Sequence, residues 1–248
     1  MDSLNASNFR RVNAGMLLDL VLLFLVPAIL AVLLVLVVNQ LSAAVGQVEA
    51  LTAADILALP IPAIKATYIV LAMHYCLDAL CALLVVSGLG ELENVSREFG
   101  IAKRWFMILI VTDCFAMIGH FLSVFLKEGT EGSITSVLYL VAVLLLLVFR
   151  SLALRTLLRG CSEVMESIGE SKRSRKALTL SAHIIAATAL LTGIVATAFI
   201  LSVCNLLDSV RVFLLVLAMA SAVFYFVCRI RTIRCSRALT RLIENLSD

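Results

Sequence analysis

Six ionisable residues lie in or at the ends of apolar runs, where a chain needs a reason to keep them: Asp19, His74, Asp78, Asp113, His120 and His183. Such groups are costly in hydrocarbon and usually face a bundle interior or water. In "MHYCLDALC" (73–81), His74, Asp78 and Cys81 fall within about 60° of one another at about 100° per residue, so one helix face carries all three while Cys76 points elsewhere. In the next run Asp113, Met117 and His120 share a face by the same arithmetic. The two runs are joined by a short connection. At about 1.5 Å of rise per residue, Asp78 and Asp113 come level to within roughly 5 Å, with His74 and His120 both on the outer side of them.

Four chemistries fit such a group. Two imidazoles and two carboxylates suit zinc or a transition metal. His74 and His120 on facing helices suit axial ligation of a haem. A proton shared between Asp78 and Asp113 suits a proton- or ion-coupled transporter. The simplest is interhelical hydrogen bonding, worth on average about 0.6 kcal/mol per bond. The chain has no HExxH, GxSxG, P-loop or paired ExxH sequence. No cofactor is therefore favoured, and the expectation is a non-enzymatic protein. Cys81 is a secondary candidate. Asp19 and His183 sit near the inner ends of their runs, where interfacial water would solvate them.

The elements that must position these residues are membrane helices. The chain of 248 residues is 62% hydrophobic and 15% charged. Soluble domains are about 45–50% apolar and about 25% charged. The excess is gathered in runs near 16–38, 66–89, 105–126, 134–150, 177–204 and 212–229. Each approaches the length that crosses ~30 Å of hydrocarbon as a helix, and the first is longer than the ~7–15-residue core of a cleaved signal peptide. The expected fold is all-α: a single polytopic membrane domain over 1–248, with six transmembrane helices arranged as three hairpins. The seven cysteines form no CxxC and no zinc-finger spacing, so they read as small packing residues.

Charge sets the orientation. With the N-terminus inside, all but three of the 20 Lys and Arg residues fall on the cytoplasmic side, the exceptions being Lys65, Lys127 and Arg211. Both termini are then cytoplasmic, and so are the sequons at Asn5, Asn94 and Asn245. Compact loops suit a bacterial cytoplasmic membrane. A net charge of +3 is too small to point to nucleic acid.

The inner connections resemble each other: "VSREFGIAKR" (95–104) aligns with "VMESIGESKR" (164–173), pairing Gly100 with Gly169. Such likeness suggests an internal repeat of helical hairpins. The fourth and sixth runs are expected to continue past the membrane as basic amphipathic helices over 150–170 and 229–246. Leu154, Leu157, Leu158, Val164, Met165 and Ile168 form one apolar stripe, and Ile233, Leu239, Leu242 and Ile243 another. Arg150, Arg155, Arg159, Arg229, Arg231, Arg234, Arg237 and Arg241 would lie at the membrane surface, Arg150 by snorkelling. Their partners would be anionic lipid headgroups or a membrane or cytoplasmic protein. Gly160 offers a point at which the first tail can break, and Gly160, Gly169 and Gly193 all read as packing or turn residues rather than phosphate loops. In the outer loop, 39–65, a short interfacial helix is expected from Thr52 and Asp55 up to Pro60 and Pro62. The function expected from all this is that of an accessory or scaffold protein or a permease-type subunit. The alternatives are transport through Asp78 and Asp113, or a metal or haem on His74 and His120.

Overall fold

The computed structural model describes residues 6–45, 62–125, 130–203 and 207–247. They form α1 (Ala6–Val45), α2 (Pro62–Leu92), α3 (Arg97–Phe125), α4 (Thr130–Ser167), α5 (Ser171–Val203) and α6 (Leu207–Ser247), with no strand among the described residues. Backbone facing lipid must satisfy its hydrogen bonds within its own segment, which makes helices the solution for such apolar sequence. Five of the six are long and apolar enough to cross a membrane, over Ala6–Leu33, Ile69–Leu92, Val141–Ser167, Ser171–Ala198 and Val212–Leu246. The exception is α3, whose described part carries Lys103, Arg104 and Asp113 along with its apolar residues.

The helix ends at the inner connections are built by local chemistry. Ser96 caps α3, its Oγ accepting the N–H of Glu98 at 3.1 Å. After α4, Gly169 takes φ 89°, Glu170 N–H donates to the Met165 carbonyl at 2.8 Å, and Gly169 N–H donates to that of Glu166 at 3.0 Å. This is the glycine-terminated helix end in which a left-handed residue satisfies the last carbonyls. Gly100, aligned with Gly169 by sequence, lies instead within the first turn of α3. The two stretches are thus not equivalent at their glycines.

Each helix packs on the next, and α6 returns to α1, so the bundle closes into a ring; α4 also touches α6. One end of the ring is tied by polar contacts. Asn8 Nδ2 donates to Glu91 at 2.7 Å, Asn13 Nδ2 to Thr240 Oγ1 at 3.0 Å, and Arg10 to Glu244 at 2.6 Å. Ser96 Oγ donates to Glu163 at 2.5 Å, and Ser162 and Ser174 share a hydrogen bond of 2.7 Å. Glycines let backbones approach. A Cβ on Gly88 would stand 2.6 Å from the Asn8 carbonyl oxygen, and one on Gly15 2.8 Å from that of Cys81, so α1 and α2 touch main chain to main chain. Small residues serve this purpose between membrane helices.

The tails are continuous with the helices before them, α4 running unbroken to Ser167 and α6 to Ser247. Gly160 does not break α4. It makes room for Phe99, whose ring lies 2.6 Å from where a Cβ would be. The stripe of Leu154, Leu157, Leu158, Val164 and Met165 is buried in the core with Phe9 and Phe99, and Ile233, Leu239 and Ile243 join it. Those apolar faces are spent on packing within the chain. Around the outside, large apolar side chains are exposed, among them Val32, Ile69, Phe115, Val212 and Phe213, as suits contact with acyl chains. At the other end, α1 extends well past the sequence limit of 38, and the interfacial helix expected around Thr52 and Asp55 lies outside the described residues.

Candidate functional site: a buried ionic network

The ring closure brings charges from five helices together. Asp19 stands on α1, Asp78 on α2, Asp113 on α3, Arg150 on α4 and Arg229 on α6. Arg150 Nη2 donates to Asp78 Oδ2 at 2.6 Å, and its Nη1 lies 3.3 Å from Asp19 Oδ1. Arg229 Nη2 donates to Asp19 Oδ2. Asp19 is therefore flanked by two guanidiniums, and Arg150 by two carboxylates. His74, one turn before Asp78, holds Nε2 4.0 Å from Asp78 Oδ2, beyond hydrogen-bond reach. The planar guanidinium fork suits this bridging, which a point-charge lysine would not reproduce.

The network is enclosed. Asp78 and Arg229 are buried, and the side chains of Asp19 and Arg150 are 13% and 15% exposed. A cavity of about 10 Å³ lies among Asp19, Asp78, Cys81 and Arg150, walled by Val85, Phe106 and Leu109. That is room for about one water. Next to it, Ser151 and Thr188 join α4 to α5 through their hydroxyls.

Asp113 stands apart. It is 1% exposed, and neither carboxylate oxygen has a hydrogen-bond partner among the described residues. It lies within the field of Arg150, Asp78 and Asp19 without pairing with any of them. On its other side it lines a hollow of about 320 Å³ between α2 and α3, with Tyr75, Cys76, Leu83 and Met117. Three acids against two guanidiniums leave one acid in excess, and the geometry makes Asp113 that acid.

The residues singled out by sequence are distributed as follows. Asp78 and Cys81 point inward and Cys76 outward. His74 flanks Asp78, and Asp113 lies near it. The side chain of His120 lies outside the described residues. Arg150 and Arg229, expected at the membrane surface, are inside the bundle because two carboxylates there need counter-charges. Asp19, expected to be solvated at an interface, is one of those carboxylates. Arg155 and Arg159 are half-buried, and Arg231, Arg234, Arg237 and Arg241 are exposed on α6. His183 is exposed on α5, its ring 6.0 Å from that of Phe224. Among the described residues no three or more His, Cys, Asp or Glu side chains are grouped to hold a metal ion.

The chain is that of a multi-pass membrane protein by its apolar helices. It matches no protein-family model, no curated protein and no solved structure. A function must be argued from these contacts.

Proposed function

We propose that this protein is a non-enzymatic accessory or scaffold subunit, built as a six-span bundle of three hairpins with both termini in the cytoplasm of a bacterial cell. The observation that carries this reading is the pairing of Asp19 and Asp78 with Arg150 and Arg229. Charges that line a transport path must be free to exchange partners. These are matched across four helices and hold the ring closed, which is what a rigid platform needs. Buried pairs of this kind are weak sources of net stability, but breaking one leaves an uncompensated charge. They therefore act chiefly to fix which helix sits beside which.

The six-span reading is supported by Asn8, Asn13, Glu91, Ser96, Glu163 and Thr240, which meet at one end of the bundle. That end also carries most of the basic residues, which supports a cytoplasmic position for it. With their apolar faces buried, α4 and α6 present arginines outward there, a surface for anionic headgroups or a protein partner.

A second reading is favoured by Asp113. A buried acid with no partner among the described residues is the natural seat of an exchangeable proton, and it adjoins both the network and the hollow between α2 and α3. Reconstitution separates the two readings. A pH-sensitive dye inside proteoliposomes reports dissipation of an imposed proton gradient. The scaffold reading expects the rate of empty liposomes. A faster rate that Asp113→Asn returns to that of empty liposomes would replace it with proton-coupled transport.

A further inference from the structure

A hollow of about 670 Å³ opens between the basic ends of α5 and α6, with Met165 of α4 at its edge. That volume falls within the ~300–1,000 Å³ typical of ligand sites. Arg173, Arg175 and Lys176 line it from α5, and Arg231 and Arg234 from α6. Arg173 has an ion pair with Glu170 at 3.7 Å, whereas no carboxylate among the described residues pairs with Lys176, Arg231 or Arg234. This contrasts with Arg150 and Arg229, whose charges are matched.

The position of the hollow along the helices narrows the chemistry it suits. His183 and Phe224 face each other across α5 and α6. Lys176 lies seven residues before His183 and Arg231 seven after Phe224. Each therefore stands about 10 Å further toward the basic end, on opposite walls. Going the other way, the two helices expose large apolar side chains, Leu190 and Ile200 on α5 and Phe213 and Val216 on α6. A ligand that fits has a negative head at the mouth and a hydrocarbon body running along the helices.

We propose that this hollow binds an anionic phospholipid, its phosphate among Lys176, Arg231 and Arg234 and its acyl chains along the α5–α6 seam. The proposal rests on the membrane-spanning reading above. Basic pockets between membrane helices on the cytoplasmic side recognise phosphate headgroups by this chemistry. It assigns the basic tail of α6 a defined lipid rather than general attraction to a charged surface.

The full chain in detergent is titrated with phosphatidylglycerol and with phosphatidylcholine, and retained lipid is counted by native mass spectrometry. One phosphatidylglycerol is expected to be held in preference to phosphatidylcholine. Arg231→Gln with Arg234→Gln should weaken it about thirtyfold, from about 1 kcal/mol per basic group. Arg237→Gln with Arg241→Gln removes the same charge away from the hollow and should leave the affinity nearly unchanged. Equal losses in both pairs would mean diffuse attraction and overturn the proposal. Inorganic phosphate and glycerol 3-phosphate are added as competitors. Displacement of the lipid by either at equal concentration would make the site one for a soluble anion and would also overturn it. If circular dichroism shows that the α6 pair does not fold, Arg175→Gln with Lys176→Gln on α5 replaces it under the same expectation; undiminished binding there would overturn the proposal. An inverted topology in labelling experiments would refute the orientation yet leave lipid binding in detergent intact.

Discussion

Arg150 and Asp78, 72 residues apart, meet across α4 and α2 in a hydrogen bond of 2.6 Å inside an apolar bundle. This contact, with its extension through Asp19 to Arg229, decides how the intramembrane acids must be read. A carboxylate and a guanidinium are each expensive in such surroundings, and together they are tolerated only with good geometry.

Removing one partner should therefore be costly. Arg150→Gln leaves Asp78 without its counter-charge and is expected to lower stability by about 3–5 kcal/mol. Arg150→Lys should recover only part of that, because one ammonium does not span two carboxylates. Thermal or denaturant unfolding in detergent micelles measures both. Unchanged stability in Arg150→Gln would mean that the pair is not buried as described.

Arg229 and Arg241 stand on the same helix with opposite exposures. Arg229→Gln should destabilise by an amount similar to Arg150→Gln, since Asp19 loses its hydrogen-bonded partner. Arg241→Gln should stay within about 0.5 kcal/mol of the parent, as exposed substitutions do. Equal effects in the same unfolding assay would contradict the assignment of Arg229 to the interior.

Sequence made the architecture visible and left the site half seen. The apolar runs are long enough that only helices fit them, and Asp78 and Cys81 on one face follow from helical phase. The partners of Asp78 and Asp19 were hidden for a physical reason. An arginine at the end of an apolar run looks the same whether it reaches for headgroups or turns inward. Which it does depends on ring closure, which brings α6 to α1 over 210 residues between Asp19 and Arg229. One signal was available. An acid inside a membrane needs a counter-charge, and Arg150 and Arg229 end runs at the depth assigned to Asp19. The tails show the same limit: Leu157 and Leu239 have the spacing of a surface helix, and only packing against neighbouring helices shows that their stripe is interior.

Asp113 should behave unlike the paired acids. Asp113→Asn keeps the shape and removes the excess carboxyl, so its stability should match the parent or exceed it, whereas Asp78→Asn should lose stability. The unfolding assay used for the arginine variants measures both. A loss of stability in Asp113→Asn comparable to that in Asp78→Asn would mean that Asp113 has a partner in the folded protein.

Close packing of α1 on α2 gives an independent check of the fold. Gly88→Ala sets a methyl group 2.6 Å from the Asn8 carbonyl oxygen, where backbone must move. A cost of about 1–3 kcal/mol is expected, the usual range for overpacking. Gly90→Ala meets nothing within 4 Å and should be neutral or slightly stabilising, as alanine favours helix. Equal unfolding midpoints for the two variants would contradict the contact.

The most direct test of the ionic network is a double-mutant cycle between Asp78 and Arg150, read by equilibrium unfolding of Asp78→Asn, Arg150→Gln and the double variant. The network predicts that the double variant is far less destabilised than the sum of the singles, with a coupling of about 1.5–3 kcal/mol. Additive effects, within about 0.5 kcal/mol, would show that the two side chains do not act as a pair and would contradict the account.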